Sequence, residues 1–414
     1  MLRLWRRYSA ATNLIGVRFL ATLVIVLTII PCLRAQKKEI SQARDYLKAR
    51  ENLDKAASLM QGLIEKDTAN RKNTKIYEIW FEAVRIQYEQ GNEKLYLKQQ
   101  YDTAQLYIYT KTMFDIVFEL DSVVEQYQDI KPDNKKRRKY AELLDKYRRN
   151  LFLGGNHYMK KDDFRQAFYF YDTYVTSASK PILAEYDYDH NDPRTVEAAF
   201  WATACAHKTN DHKGIFRHAK KAEETNDTTK KLLTKRFEAE AYLSLNDSLR
   251  YIEALKEGFD IDPKYKYNFP RLLDYYNDHQ MADRALNLAD RALDASPDEP
   301  LFLYAKSTVL LNMGRNDECI AISDKLIGIC DTIAAPYYNV ATAILNKAVI
   351  IEQAQQKDKE DLNNLYSTAL PYMERYRELA PKEREKWAPG LYRIYLNLNM
   401  GKQFEEMDRI MKAL

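Results

Sequence analysis

Apolar and small residues recur along this chain at helical spacing, in stretches rich in Ala, Leu, Lys and Glu. A longer period lies over that pattern. Tyr251, Ala285 and Cys319 stand 34 residues apart, each at the place of the first packed residue of a second helix. Pro263 and Pro297 follow two of these anchors by twelve residues, and Tyr242 and Tyr276 precede them by nine. A helix–turn–helix repeated at a fixed period predicts a stack in which each helical pair covers apolar surface that its neighbour could not bury alone. Only 11 Gly and 12 Pro punctuate 414 residues, too few for a β-sandwich, so the expected fold is all-α.

Read unit by unit, the middle of the chain is the most regular. One unit places Phe269, Leu272, Leu273 and Tyr276 on its first helix and Ala285, Ala289 and Ala292 on its second, with Pro297 closing it. The next runs Leu303, Ser307, Leu310, Cys319, Ser323 and Leu326, with Gly314 at the turn. Before them come Ala239, Tyr242, Tyr251, Leu255, Gly258 and Pro263, and earlier Leu151, Gly154, Gly155, Tyr158, Ala167, Tyr171 and Tyr174. Small side chains let helices approach, and the larger ones fill the grooves between them. This template resembles the tetratricopeptide repeat (TPR), over residues 39–414.

Other units carry insertions. The step from Ala167 to Ile215 leaves a surplus at 181–194, which its Asp-rich composition predicts as a polar loop. The step from Cys319 to Ala369 leaves the polar segment 353–364 between a first helix with Tyr337, Ala341 and Ile344 and a second with Ala369, Met373, Tyr376 and Pro381. Pro371 is harmless only if that second helix starts as late as Leu370. Pro270, Pro300, Pro336 and Pro389 are all expected at helix starts. Ile40, Ala43, Leu47, Ala56, Met60 and Leu63 predict one N-terminal hairpin, and Trp80, Phe81, Val84, Ala104 and Ile108 a stretched second. Leu391, Tyr395, Leu398, Met407 and Met411 predict a closing pair. The resulting organisation is a leader at 1–35, divergent hairpins at 36–130, one TPR-like unit at 136–180 and a TPR-like array at 195–414. Together these imply a right-handed superhelical solenoid of about nine pairs.

The leader predicts a location. Residues 19–30 are apolar apart from Thr22 and Thr28, behind Arg3, Arg6, Arg7 and Arg18 and ahead of Leu33, Arg34, Ala35 and Gln36. That is the layout of a signal peptide cut after Ala35, and the run is short for a membrane span. Cys32 leaves a lipoprotein or an uncleaved anchor as the alternative, with an organellar presequence as a third, so membrane contact is expected only through this segment. Export would permit disulfides. Cys319 and Cys330, read on one helix about 16 Å apart, cannot join, and with Cys205 they are expected to be buried free thiols.

Charge removes one class of partner. Five of 64 basic residues lie in the leader, leaving 59 against 60 acids, so no nucleic acid is expected. The basic run at 135–139 reads as a solvated helix face. His207, His212 and His218 match no common metal spacing and are expected at the surface. With no phosphate loop, no HExxH and no nucleophile elbow, neither an enzyme nor a cofactor is expected.

What the resemblance implies about binding is a concave face lined by first helices. On this chain those positions include Phe152, Asn156, Phe200, Arg236, Glu240, Asp274, Asn277, Tyr304, Thr308, Tyr338 and Thr342. The Lys/Asn clamp that TPR cochaperones use for a C-terminal carboxylate is missing, because one clamp position reads Phe152, Phe200, Arg236, Pro270, Tyr304 and Tyr338 in successive units. The reading is a non-catalytic scaffold for a protein or peptide partner. The alternative is a glycan-binding protein, similar to the helical nutrient-capture lipoproteins of Bacteroides-type bacteria. Six Asp-Ser/Thr triplets, with acceptors Thr68, Thr103, Ser122, Thr228, Ser248 and Thr332, resemble the O-glycosylation signal of that group. They also suit helix caps and turns. Together with the leader they imply the periplasm or cell envelope of a Gram-negative bacterium.

Overall fold

The computed structural model describes residues 36–127, 130–353 and 359–413, and among these there is no strand. The signal peptide expected at 1–35 lies outside them. Two compact units divide the chain, the first ending at Asn226 and the second beginning at Asp227. The division falls inside the stretch 195–414.

In the first unit the pairs are α1 (36–49) with α2 (Leu53–Lys66), α3 (Thr74–Tyr96) with α4 (Thr103–Gln126), α5 (Asn134–Met159) with α6 (Phe164–Ser177), and α8 (Arg194–Lys208) with α9 (His212–Ala222). A short helix α7 (Tyr188–Asn191) precedes the last pair. The second unit pairs α10 (Thr228–Ser244) with α11 (Ser248–Ile261), α12 (Asn268–Asp278) with α13 (Ala282–Ala295), and α14 (Pro300–Asn312) with α15 (Asn316–Ile329). It ends on α16 (Ala334–Gln353) with α17 (Lys359–Leu379), and α18 (Arg384–Asn397) with α19 (Gly401–Lys412). Within each unit, the helices from α2 onward, with the short α7 set aside, pack on their neighbours in chain order. The solenoid of hairpins expected from the period is the architecture each unit shows.

Local chemistry explains where the helices begin. Asp102, Asp133, Asp163, Asp211, Asp227 and Asp247 each cap the helix that follows, accepting from a backbone N–H two or three residues on. Such caps contribute about 0.5–2 kcal/mol apiece. Hairpin turns use one left-handed residue, and Asn246, Gln280 and Gly314 hold that post at the repeat spacing, with φ of 58°, 56° and 71°. Close approach depends on small residues. Ala285, Ala289 and Ala292 are fully buried on α13. A Cβ on Gly154 would lie 2.6 Å from the Phe170 ring, and one on Gly155 2.5 Å from that of Tyr171.

Several sequence expectations need correction. Residues 181–194 do not form a polar loop. They fold as a 3-10 turn, Pro181–Tyr186, then α7, burying Ile182, Leu183 and Tyr188 against the unit. Arg148 of α5 makes this possible. It is 4% exposed, lies 3.8 Å from the centroids of both Tyr174 and Tyr188, and donates to Ser177 Oγ, Thr195 Oγ1 and the Tyr174 carbonyl while pairing with Asp192. The Asp residues that made this stretch read as solvated include the one that neutralises a buried cation.

Helix α17 starts at Lys359, so 359–364 are its first turns, not a connection, and Pro371 sits in its interior. Pro389 is likewise inside α18 rather than at its start. Ile108, counted as a packing residue, is 39% exposed, and Leu106 is buried instead. Cys205 and Cys319 are buried, but α15 ends at Ile329, leaving Cys330 beyond it and half-exposed. In the basic run at 135–139, Lys136 reaches Glu78 and Arg137 grips Asp121 with two nitrogens, so part of that face ties α5 to α3 and α4.

Candidate functional site

The second unit carries a groove of about 650 Å³ across the first helices of two consecutive hairpins, α14 and α16. Its walls repeat. Tyr304, Thr308 and Asn312 stand one helical turn apart on α14, and Tyr338, Thr342 and Asn346 stand at the same intervals on α16, each 34 residues after its counterpart. Each row is roughly 12 Å long at 1.5 Å per residue. Leu311, Ile333, Ala334 and Ala335 supply the apolar lining. Asn339, 4% exposed, clamps the rows together, donating to Ser307 Oγ at 2.9 Å and Thr308 Oγ1 at 3.2 Å.

One end is closed by α17, the partner helix of α16, and by the start of α18. The Tyr376 ring lies 5.1 Å from that of Tyr338, and its hydroxyl donates to Glu383 Oε2 at 2.8 Å. Lys386 meets the same carboxylate at 2.5 Å. Hydrogen bonds from Lys386 and then Tyr376 hold the Glu383 carboxyl below its ordinary value. Glu383 in turn raises Lys386, while burial and Glu383 push Tyr376 up. The two formal charges that the described residues bring to the groove therefore stay ionised and cancel.

Its neutral groups are in the opposite condition. The side chains of Tyr304, Tyr338, Thr342, Asn312 and Asn346 make no hydrogen bond to another described residue. Tyr338, Thr342 and Asn346 are half-buried and Tyr304 and Asn312 exposed, and all five face one groove with no partner among the described residues.

Four of the eleven expected binding residues thus come together: Tyr304, Thr308, Tyr338 and Thr342. The other seven do not line this groove. Arg236 and Glu240 pair with each other at 2.7 Å, and the Arg236 guanidinium lies 4.8 Å from the Tyr267 ring. Asp274 and Asn277 are exposed on α12. In the first unit, Phe152 packs edge-on to Tyr171 and Tyr174, and Asn156 accepts from the Tyr171 hydroxyl at 2.6 Å. Phe200, 5% exposed, is an interior residue and no part of a solvent-facing wall. Asn312 and Asn346 were missed, although extending the periodic count by one turn past Thr308 and Thr342 reveals them. Nothing local marks Tyr376, on the second helix of the α16–α17 pair, or Glu383 and Lys386, which come from the start of the next pair.

The remaining candidates have structural roles. His218 is not at the surface: it is 1% exposed with Nε2 2.8 Å from Asp172 Oδ1. His207 and His212 are half-buried. Among the described residues no cluster of His, Cys, Asp or Glu could hold a metal ion. Of the six triplets, four have their Asp at a cap, with Thr68 opening the 3-10 turn Thr68–Lys72, and Thr103, Thr228 and Ser248 opening α4, α10 and α11. Ser122 is exposed within α4, beside the Asp121–Arg137 pair, and Thr332 is exposed in the turn after α15.

No protein-family model matches this chain. No curated protein matches it either. Among solved structures, it is similar to the C-terminal part of a TPR repeat-containing protein from Cytophaga hutchinsonii, at 12% identity over 64% of this chain and 95% of that one, with a TM-score of 0.40. The MamA protein aligns at 17% identity over 46% of this chain and 94% of that one, TM-score 0.32. The TPR domain of P58(IPK) aligns at 13% identity over 92% and 99%, TM-score 0.25. Scores this low add no weight of their own, and the packing carries the conclusion: the described residues form an all-α array of TPR-type helical hairpins.

Proposed function

We propose that this chain is a non-catalytic scaffold of the bacterial cell envelope that holds a segment of a partner protein in the α14–α16 groove. The observation that carries the reading is the doubled Tyr–Thr–Asn row, in which every side chain but Thr308 lacks a hydrogen-bond partner among the described residues. The volume suits a short segment, and neutral hydrogen-bonding groups beside aromatic rings suit recognition through main-chain amides. A scaffold rather than a catalyst is supported by the groove's ionisable groups: Glu383 is held low and Lys386 high, so neither is poised to exchange a proton near neutrality. The envelope location is supported by the apolar run at 19–30 and the Arg residues around it. The Tyr304 ring, 39% exposed, favours one second reading, a sugar stacked on that ring.

A photo-crosslinking amino acid at Thr342 in the full chain, activated in living cells, tests the proposal. The expected result is one discrete protein adduct in the envelope fraction that disappears when Tyr304→Ala is added. Adducts with carbohydrate alone would replace the protein partner by the glycan reading, and adducts unaffected by Tyr304→Ala would remove the groove from the function.

A further inference from the structure

The two rows repeat the same chemistry and so offer a repeating occupant two equivalent sets of contacts. Tyr304, Thr308 and Asn312 on α14 have the same types and order as Tyr338, Thr342 and Asn346 on α16. These two helices pack on each other, and packed helix axes lie about 8–10 Å apart. A ligand crossing both helices meets an identical triad after that distance. The spacing selects a backbone. A β-strand returns to the same face every second residue, roughly 6.6–6.8 Å, and every fourth at twice that, both out of step with the rows. A polyproline II helix has three residues per turn at 3.1 Å each, so it returns every third residue at roughly 9.3 Å, which is in step.

The chemistry of the walls agrees with that geometry. A polyproline II segment has no internal hydrogen bonds and presents its carbonyls outward. The amides of Asn312 and Asn346 and the hydroxyls of Tyr304, Tyr338 and Thr342 have donors to offer and no partner among the described residues. Tyrosine faces are flat surfaces for pyrrolidine rings, and aromatic-lined grooves take such segments. Because Glu383 and Lys386 neutralise each other, the groove selects neither an acidic nor a basic segment.

Building on the partner-protein reading above, we infer that the occupant is an uncharged polyproline II segment, presenting the same residue at every third position to the two Tyr–Thr–Asn rows. Fluorescence anisotropy with the purified chain tests this. The probe is a labelled, uncharged peptide with proline at every third position, and its control has the same length and composition but its prolines gathered at every second position within one half of the peptide. The first peptide should bind at least about tenfold more tightly than the second, consistent with losing one aligned row. Its Kd should stay constant as salt rises. Tyr304→Ala and Asn312→Ala alter exposed positions and leave the fold in place, and each should weaken binding by about tenfold. Equal affinity for both peptides would overturn the matched period. Failure of both peptides, with the Thr342 protein adduct still formed, would overturn the polyproline assignment alone. Failure of both, with that adduct also absent, would remove the partner reading beneath it.

Discussion

Replacing Gly155 by alanine should destabilise the first unit, although the same change normally strengthens a helix. Gly155 lies in the interior of α5. On an open helix face, Gly→Ala gains roughly 1 kcal/mol from lower backbone entropy in the unfolded chain and better helix propensity. Here the added methyl would stand 2.5 Å from Cε1 and 2.6 Å from Cζ of Tyr171. That ring has nowhere to go: it is 1% exposed, packs edge-on to Phe152 and donates its hydroxyl to Asn156 at 2.6 Å. Overpacking of this kind costs about 1–3 kcal/mol. Displacing the ring also loses a hydrogen bond worth about 0.5–1.5 kcal/mol. Subtracting the propensity gain leaves a net loss of roughly 0.5–3.5 kcal/mol. Gly62 in α2 supplies the internal control, because a Cβ there meets nothing within 4 Å. Gly62→Ala should therefore stabilise by about 0.5–1 kcal/mol. Urea unfolding followed by far-ultraviolet circular dichroism reads both, and adding Tyr171→Leu to Gly155→Ala should cost less than the sum of the two single changes. If Gly155→Ala matched or exceeded wild type while Gly62→Ala behaved as expected, α5 and α6 would not approach as closely as described.

Removing the buried cation with Arg148→Met should cost about 3–5 kcal/mol, since Asp192 and three further acceptors lose their donor; protease cleavage within 181–191 should rise in parallel, and an unchanged cleavage pattern would separate that segment from Arg148. Asp192 should also give the fold an acid-sensitive element. Burial alone would raise its carboxyl, but hydrogen bonds from Tyr174 and Arg148 hold it below its ordinary 3.8. The unfolded chain therefore binds the proton more readily, so the contribution is complete above pH 3.8 and fades as pH falls through the lower folded value. Wild type should lose stability over that acid range, and Asp192→Asn should lose less of it; identical acid slopes would count against the assignment. Among Cys205, Cys319 and Cys330, a thiol reagent at neutral pH should label Cys330 first. Burial pushes Cys205 up to about 12 and raises Cys319, whereas hydrogen bonds from Thr332 lower the half-exposed Cys330. Peptide mass spectrometry reads the sites, and equal labelling of all three would show that the buried pair is accessible.

The repeat was legible because it is a local property. Residues spaced for one helix face, small residues at contacts and a left-handed turn residue all act within one pair of helices, so Ala285, Gly314 and Cys319 announce their roles through spacing alone. Tyr304, Thr308, Tyr338 and Thr342 were legible as wall residues for the same reason. Burial and pairing across distant segments were not. Phe200 and His218 occupy positions that spacing would send to the surface, but the packing of the first unit encloses both. Arg148 meets Asp192 across 44 residues, and contacts of that range turn an Asp-rich stretch into packed structure. The start of α17 at Lys359 was hidden by its polar first turns, since a helix end that packs on little carries no apolar signature.

By itself, then, the sequence determined the all-helical class, the 34-residue period, the pairing of neighbouring helices and two rows of equivalent side chains, because each follows from interactions between residues close along the chain. Tertiary structure alone decided that those rows face one groove, that its charges cancel, and that five of its neutral side chains are left without partners among the described residues. Each of those depends on which distant residues reach the same place, and periodicity along one helix holds no information about what lies opposite.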